Sequence, residues 1–295
     1  MIRTLAIIAG EPNSISSEII FKLWKLRKKF NHKPFFIIGN IDLLNKQKKK
    51  LKYSIKIKEI NNNFTTKDLN TNSLPVYNIK YKQRKPFEVA SNKSNKYILE
   101  SFKVAINFIK KNKIQGLINC PIIKKYLLKN KYKGITEFLA KKFKVNQKEV
   151  MLIFNKKLSV SPITTHIPLA KVRGQLSRKK IIMKIRTIDS FYRKKLKIKP
   201  IIGVLGLNPH NYSGEKKSEE EKIIIPALKT LKKAKIKVVG PISPDSAFLV
   251  YKKYKLSIIV GMYHDQVLAP FKSLFGYSPV NVTLGLPCLR TSPDH

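Results

Sequence analysis

An α/β fold with a mainly parallel sheet is the class this sequence predicts, and three observations predict it. Apolar runs of strand length alternate with segments of helical periodicity along the whole chain, the pattern of βα units. A length of 295 residues with 43% hydrophobic content is enough for a large core and two lobes. Three of the five histidines end apolar runs: Leu158 to His166, Ile201 to His210 and Ser257 to His264. Open α/β sheets bind ligands beyond the carboxyl ends of their strands, so these histidines fall where chemistry is expected.

The elements follow in order. Leu5 to Ala9 predicts a buried first strand. Ser14 to Phe30 predicts a helix, with Ile15, Ile19, Leu23, Leu26 and Phe30 spaced by three and four. Phe35 to Gly39 reads as a second strand, and the Asn-rich stretch Asn61 to Ser73 as a loop. Asn95 to Asn112 predicts a helix feeding the strand Gln115 to Cys120, which Pro121 ends. Helices are expected over Ile122 to Lys129 and from Thr136, then a strand over Val150 to Phe154 and the first histidine strand. A basic helix, Ser177 to Leu196, precedes the second histidine strand. Ser218 caps a helix to Lys235, with Glu219, Glu220 and Glu221 complementing its dipole. Lys237 to Gly240 is a short strand, Leu256 to Met262 carries the third histidine, and Val280 to Leu284 reads as the last strand. The shift in motif content places a lobe boundary near residue 128, giving lobes 1–128 and 129–295.

The formal charge of +44, from 61 Lys and Arg against 17 Asp and Glu, raises nucleic acid as a partner. Only eight of the bases are Arg, the residue suited to bidentate phosphate recognition. The lysines run through the whole chain beside Asn and Ile, all with AT-rich codons, so most of the charge reads as composition on a solvated surface. The densest run, Lys46 to Lys58, is where a footprint would lie; Lys129 to Lys133 with Tyr126 and Tyr132 is the nearest approach to aromatic interleaving. Two cysteines, Cys120 and Cys288, make neither a disulfide framework nor a Cys-x-x-Cys site, and a reducing cytoplasm is expected. The N-terminal apolar run is too short for a signal peptide, and no run approaches the roughly 20 apolar residues of a membrane span. There is no Gly-x-Gly-x-x-Gly turn and no P-loop.

Three imidazoles from separate strands are a plausible ligand set for zinc or a similar ion. Such a site keeps the full charge of the ion and an open position, and polarises an alcohol or carbonyl oxygen. Thr164, Thr165, Asn208 and Asp265 stand ready to orient the rings. Asp245, in Pro244-Asp245-Ser246, is a further candidate acid, or a helix cap. Spacing leaves a hydrolase, an aldolase-type lyase and a dehydrogenase open.

The ordered set Gly10-Glu11-Pro12, Cys120 to Lys124, Gly134 to Ala140, Thr164 to Leu169, Gly206 to His210, Met262 to Gln266 and Asn281 to Pro287 through Arg290 to His295 resembles the 4-hydroxythreonine-4-phosphate dehydrogenase (PdxA) family. The resemblance implies a two-lobed fold like isocitrate and isopropylmalate dehydrogenases, in a homodimer with its site at the subunit interface. It implies oxidation of the C3 hydroxyl of 4-phosphooxy-L-threonine with NAD or NADP, then decarboxylation to 3-amino-2-oxopropyl phosphate, on the way to vitamin B6. By motif, His166, His210 and His264 hold a divalent metal (zinc, magnesium or cobalt). Thr136, Lys272, Asn281 and Arg290 match substrate-contacting positions. From the residues themselves, Asp245 and Asp265 are the candidate catalytic carboxylates.

Departures leave alternatives. Ser14 and Ser16 replace two family glycines, and Ile135 stands where the family has a substrate-contacting His. Asn211 to Lys217 replaces a Gly-rich loop, and the chain stops at His295 where the family continues, as a truncated member would. A dehydrogenase for a threonate or erythronate phosphate, a catalytically impaired paralogue, and a basic nucleic-acid-binding protein are the other expectations.

Overall fold

The computed structural model describes residues 4–30, 34–123, 134–145, 148–212 and 217–293. The chain forms two compact units, Met1–Phe138 with Pro287–Pro293, and Leu139–Leu286. The boundary therefore falls later than the expected 128, and the last strand returns to the first unit, which a linear division of the sequence does not anticipate.

In the first unit the strands are β1 (Leu5–Ile8), β2 (Phe35–Gly39), β3 (Ile57–Ile60), β4 (Leu74–Asn78), β5 (Gly116–Asn119) and the returning β12 (Leu289–Pro293). They run in the order β3-β4-β2-β1-β5-β12, every pair parallel. The helices are α1 (Ser16–Leu26), α2 (Ile41–Lys50), α3 (Thr66–Leu69) and α4 (Asn95–Lys110), and α5 (Ile135–Lys142) begins in this unit. Ile7, Ile37, Leu74 and Val76 of the sheet bury against Ile20, Phe21 and Trp24 of α1 and Leu44 of α2.

Several sequence expectations need correction here. α2, β3, β4 and β12 were not foreseen, and the expected loop Asn61 to Ser73 contains α3, held by a reciprocal Thr65–Asp68 capping box. Ile122 and Ile123, the start of an expected helix, are not helical; the rest of that segment, with Tyr126 and Tyr132, lies outside the described residues.

In the second unit the strands are β6 (Val150–Phe154), β7 (Ser159–Pro162), β8 (Ile202–Leu205), β9 (Val238–Ile242), β10 (Ile258–Gly261) and β11 (Val280–Leu284). The order is β11-β6-β7-β10-β8-β9, with β6 antiparallel to both neighbours and the others parallel. Its helices are α6 (Val172–Gln175), α7 (Arg178–Phe191), α8 (Ile225–Lys233), α9 (Ala247–Val250) and α10 (His264–Phe275). Alternate strand residues bury on opposite faces. Val150, Leu152, Ile258 and Val260 meet Ile181, Ile185 and Ile188 of α7 and Leu228 and Leu231 of α8. Met151, Ile153 and Ile259 meet Val267 and Phe271 of α10. A sheet covered on both faces explains the near-continuous apolar runs. No helix among the described residues is long and apolar enough to cross a membrane.

Candidate functional site

The three histidine strands are neighbours. β10 lies between β7 and β8, parallel to both, so all three release their chains at the same edge of the second unit. The backbone continues the ladder past β7: Ile163 N–H donates to Gly261 O (2.8 Å) and Thr164 N–H to Met262 O (3.1 Å). The buried Thr164 hydroxyl adds a 2.7 Å bond to the same Met262 oxygen. This pins the exits of β7 and β10 together, and the rings of His166 and His264 lie 5.6 Å apart between centroids.

His264 opens α10, and its Nδ1 donates to Asp265 Oδ1 at 2.7 Å. That bond fixes the ring and turns Nε2 to the outside, an arrangement in which an imidazole can take a metal. Asp265 is thus placed to orient an imidazole, as the sequence suggests.

His210 follows a different course. It sits in the turn Pro209–Tyr212 with its backbone in the left-handed region (φ 48°), as does Asn211 (φ 59°). Left-handed backbone is what glycine supplies at least cost, and Asn is the next best occupant. A Cβ at Gly206 would collide with the Asn211 side chain, whose Nδ2 donates to Pro241 O at 3.1 Å. The Asp245 carboxyl is held below its ordinary value chiefly by the Ser243 hydroxyl, 2.6 Å away. Asp245 is exposed and ionised at neutral pH, which suits an acceptor of protons better than a donor. Ser246, not Asp245, occupies the cap position of α9.

Among the described residues no three His, Cys, Asp or Glu side chains come together as a metal site. The donor chemistry fits a divalent cation at the His166–His264 pair, and one chain's described residues stop at two rings.

Two residues that sequence reasoning left without a role hold these exits in place. Gln266, buried on α10, accepts from Met262 N–H at 2.6 Å and donates to Gly206 O at 2.8 Å, tying the β10 exit to the β8 exit. Glu220, 1% exposed, accepts from Leu207 N–H (2.7 Å), Asn208 N–H (2.9 Å) and Asn208 Nδ2 (2.9 Å). Glu219 accepts from Asn208 Nδ2 (3.0 Å) and pairs with Arg173 (2.5 Å); these contacts, the Asn208 bond first, hold its carboxyl below its ordinary value. The sequence presents these acids only as complements to a helix dipole.

The expected substrate residues are distributed. Asn281 lies on β11, and its Oδ1 is buried without a hydrogen-bond partner, an acceptor waiting for a donor. Lys272 is in the last turn of α10, its ammonium 5.3 Å from the Tyr277 ring centroid. It is eight residues beyond His264 and so about 12 Å along the helix axis. Thr136 and Arg290 belong to the first unit. Arg290 is buried and donates from Nε (2.9 Å) and Nη2 (2.6 Å) to Asn119 Oδ1 at the end of β5. Burial lowers its pKa to about 10, opposed by Glu137, so it stays charged at neutral pH. Ile135 is buried, 5% exposed, and brings no polar group to this end of α5.

The serine replacements are accommodated. At the β1 exit, Gly10 (φ 76°) packs against Cys120 and Pro121, where a Cβ would collide with the Pro121 carbonyl. Glu11 is buried and accepts from the Ser94 hydroxyl at 2.8 Å. Neither Ser14 nor Ser16 has a positive φ; their hydroxyls bond each other (2.7 Å), and Ser14 donates to Glu11 O (2.8 Å).

Comparison with known proteins agrees with the layout. Residues 31–295 match the family described as "Pyridoxal phosphate biosynthetic protein PdxA". A 4-hydroxythreonine-4-phosphate dehydrogenase of Sulfurihydrogenibium sp. is 39% identical over 99% of this chain and 89% of its own length. One of Aquifex aeolicus is 36% identical over 100% and 90%. The crystal structure of 4-hydroxythreonine-4-phosphate dehydrogenase from Klebsiella pneumoniae superposes with a TM-score of 0.84 at 27% identity, covering 99% of this chain and 91% of that one. Terephthalate 1,2-cis-dihydrodiol dehydrogenase from Burkholderia xenovorans shares the fold at a TM-score of 0.70 and 18% identity. With a family match over most of its length and relatives above 30% identity along nearly all of it, the chain belongs to the PdxA family of pyridoxal phosphate biosynthetic proteins.

Proposed function

We propose that this chain is an NAD(P)-linked 4-hydroxythreonine-4-phosphate dehydrogenase, oxidising the C3 hydroxyl of 4-phosphooxy-L-threonine ahead of decarboxylation to 3-amino-2-oxopropyl phosphate. The observation that carries the reading is the row of three parallel histidine strands in a chain whose relatives of that name match it nearly end to end. A divalent cation (zinc, magnesium or cobalt) held by His166, His264 and His210 would supply Lewis acidity at the substrate oxygen. Asp265 orients His264, and Asp245, ionised at neutral pH, accepts a proton. Asn281, with its open acceptor, and the cations Lys272 and Arg290 bind the anionic substrate together with Thr136. The reading includes a homodimer whose second copy supplies the third imidazole that the described residues of one chain do not bring to the His166–His264 pair.

The test is NAD(P)H absorbance with 4-phosphooxy-L-threonine and added metal. His210→Ala and His264→Ala are each expected to lose at least a hundredfold in kcat/KM, and mixing the two inactive variants restores part of the activity if each site draws rings from two copies. Wild-type protein that binds metal but reduces no NAD(P) would refute the dehydrogenase reading. A second substrate, a threonate or erythronate phosphate, is favoured by Ile135, whose buried apolar side chain replaces a polar anchor; the ratio of kcat/KM values decides between them.

A further inference from the structure

The first unit carries a second concavity, far from where α/β chemistry is done. α1 leaves the carboxyl end of β1 and runs back, so its last turn lies at the amino ends of the strands. Tyr53 to Lys56 leads into the start of β3, and Asn72 precedes the start of β4. A cleft of about 860 Å³ opens between these segments at the amino-terminal edge. Ligands of open α/β sheets bind at the opposite edge.

The lining is cationic. Lys25, Arg27, Lys48, Lys49, Lys52 and Lys56 are six of the eleven residues lining the cleft, and none of the eleven is acidic. Most of these residues come from the Lys46 to Lys58 run, the densest in the sequence, which the proposed reaction does not use.

Three of the six cations are held in place. The Arg27 guanidinium lies 4.1 Å from the Trp24 ring centroid, with Nη1 donating to Trp24 O at 2.8 Å. The Lys25 ammonium lies 4.8 Å from the Tyr53 ring centroid, and Lys48 Nζ donates to Ile55 O at 2.9 Å. Such contacts lower the entropy lost when the cations engage an anion. The same contacts decide what the anion is. Trp24 is 3% exposed and packs edge-on against Phe35; Tyr53 packs against Phe21 and lies beneath Lys25. These aromatic faces are taken, so the cleft has cations to offer and no stacking platform of the kind single-stranded nucleic-acid sites use.

We propose that this cleft binds a short phosphate chain: an inorganic oligophosphate or the triphosphate of a nucleotide, held through its phosphates alone. The proposal is independent of the dehydrogenase reading.

The experiment is calorimetric titration of the full chain with inorganic tripolyphosphate, ATP and AMP at fixed ionic strength. One variant neutralises the cleft (Lys25→Gln, Arg27→Gln, Lys52→Gln, Lys56→Gln). A control removes the same charge from exposed lysines of the second unit (Lys232→Gln, Lys233→Gln, Lys252→Gln, Lys253→Gln). Tripolyphosphate affinity is expected to fall at least tenfold in the cleft variant and less than twofold in the control, with AMP at least tenfold weaker than ATP. ATP bound like tripolyphosphate marks any phosphate chain as the ligand; ATP bound at least tenfold more tightly would show contacts to the nucleoside and overturn recognition through phosphates alone. A triple variant sparing Arg27 (Lys49→Gln, Lys52→Gln, Lys56→Gln) serves if the first does not fold. Equal losses in cleft and control variants would overturn the proposal, since diffuse charge would then account for binding. So would AMP binding as tightly as ATP. A single-stranded RNA oligomer preferred over tripolyphosphate, and dependent on the cleft, would assign it to nucleic acid instead.

Discussion

Replacing Gln266 by Met keeps the length and volume of the side chain and removes both of its hydrogen bonds. Met262 N–H and Gly206 C=O, which the amide joins at 2.6 and 2.8 Å, then lose their partner beneath a side chain that is 8% exposed. A buried backbone group left unpaired costs about 1–3 kcal/mol, so the pair costs about 2–6 kcal/mol, of which the thioether recovers a part through its apolar packing. A net loss near 3 kcal/mol is expected, a midpoint shift of about 6–12 °C for a unit of this size. Urea unfolding followed by circular dichroism measures it, with the midpoint lowered and the slope unchanged. Since Gln266 ties the exits that carry His264 and His210, zinc affinity of the folded variant should fall at least tenfold while His166 and Asp265 remain intact. Destabilisation below about 0.5 kcal/mol, the scatter of ordinary surface substitutions, would refute the assignment of Gln266 as the tie between the strands.

Other outcomes follow from the same geometry. Asn281→Leu removes a buried acceptor that has no partner, so thermal stability should hold or rise while the KM for the phosphorylated substrate rises at least tenfold; a lower melting temperature with unchanged KM would show a structural role instead. The Glu219 carboxyl, held low by Asn208 and Arg173, contributes stability that is present above the ordinary carboxylate range and lost as pH falls through its lowered folded value. Glu219→Gln should therefore flatten the loss of stability below about pH 4.5, and an unchanged acid profile would contradict this. Burial raises Cys120 to about 12 and Cys288 to about 11, so neither thiol should react with Ellman's reagent in the native chain at pH 8, and both should react in denaturant. Because their folded values lie above the ordinary 9.0, ionisation favours the unfolded chain and stability should fall above about pH 9.

Much of this layout is written in apolar runs. Strands buried on both faces, such as β2, β8 and β10, are uninterrupted stretches of Ile, Val, Leu, Phe and Gly and stand out at once. β3 does not: Ile57-Lys58-Glu59-Ile60 exposes its two middle residues at a sheet edge, amid lysines that mask it. α2 buries only Leu43, Leu44 and Gln47, and its basic tail hides the rest of its periodicity. Within the site, three histidines at three strand ends were legible because strand ends are legible. Whether neighbouring rings converge depends on the path after the strand, and two consecutive left-handed residues at His210 and Asn211 carry no apolar signature. Glu220 was hidden for a related reason: an acid in a first helical turn has an ordinary explanation, and only the fold shows it turned inward onto Leu207 and Asn208.

The return of Pro287–Pro293 to the first unit has a consequence for biosynthesis. β12 pairs along the flank of β5 at Gly116, Leu117 and Ile118, and it supplies Arg290 to Asn119. The half of the molecule made first must therefore wait, one strand short, until the second unit has been translated. A nascent fragment ending after Phe138 should expose the bare β5 margin and be a client for chaperones, even though translation has already passed a compact unit's worth of sequence.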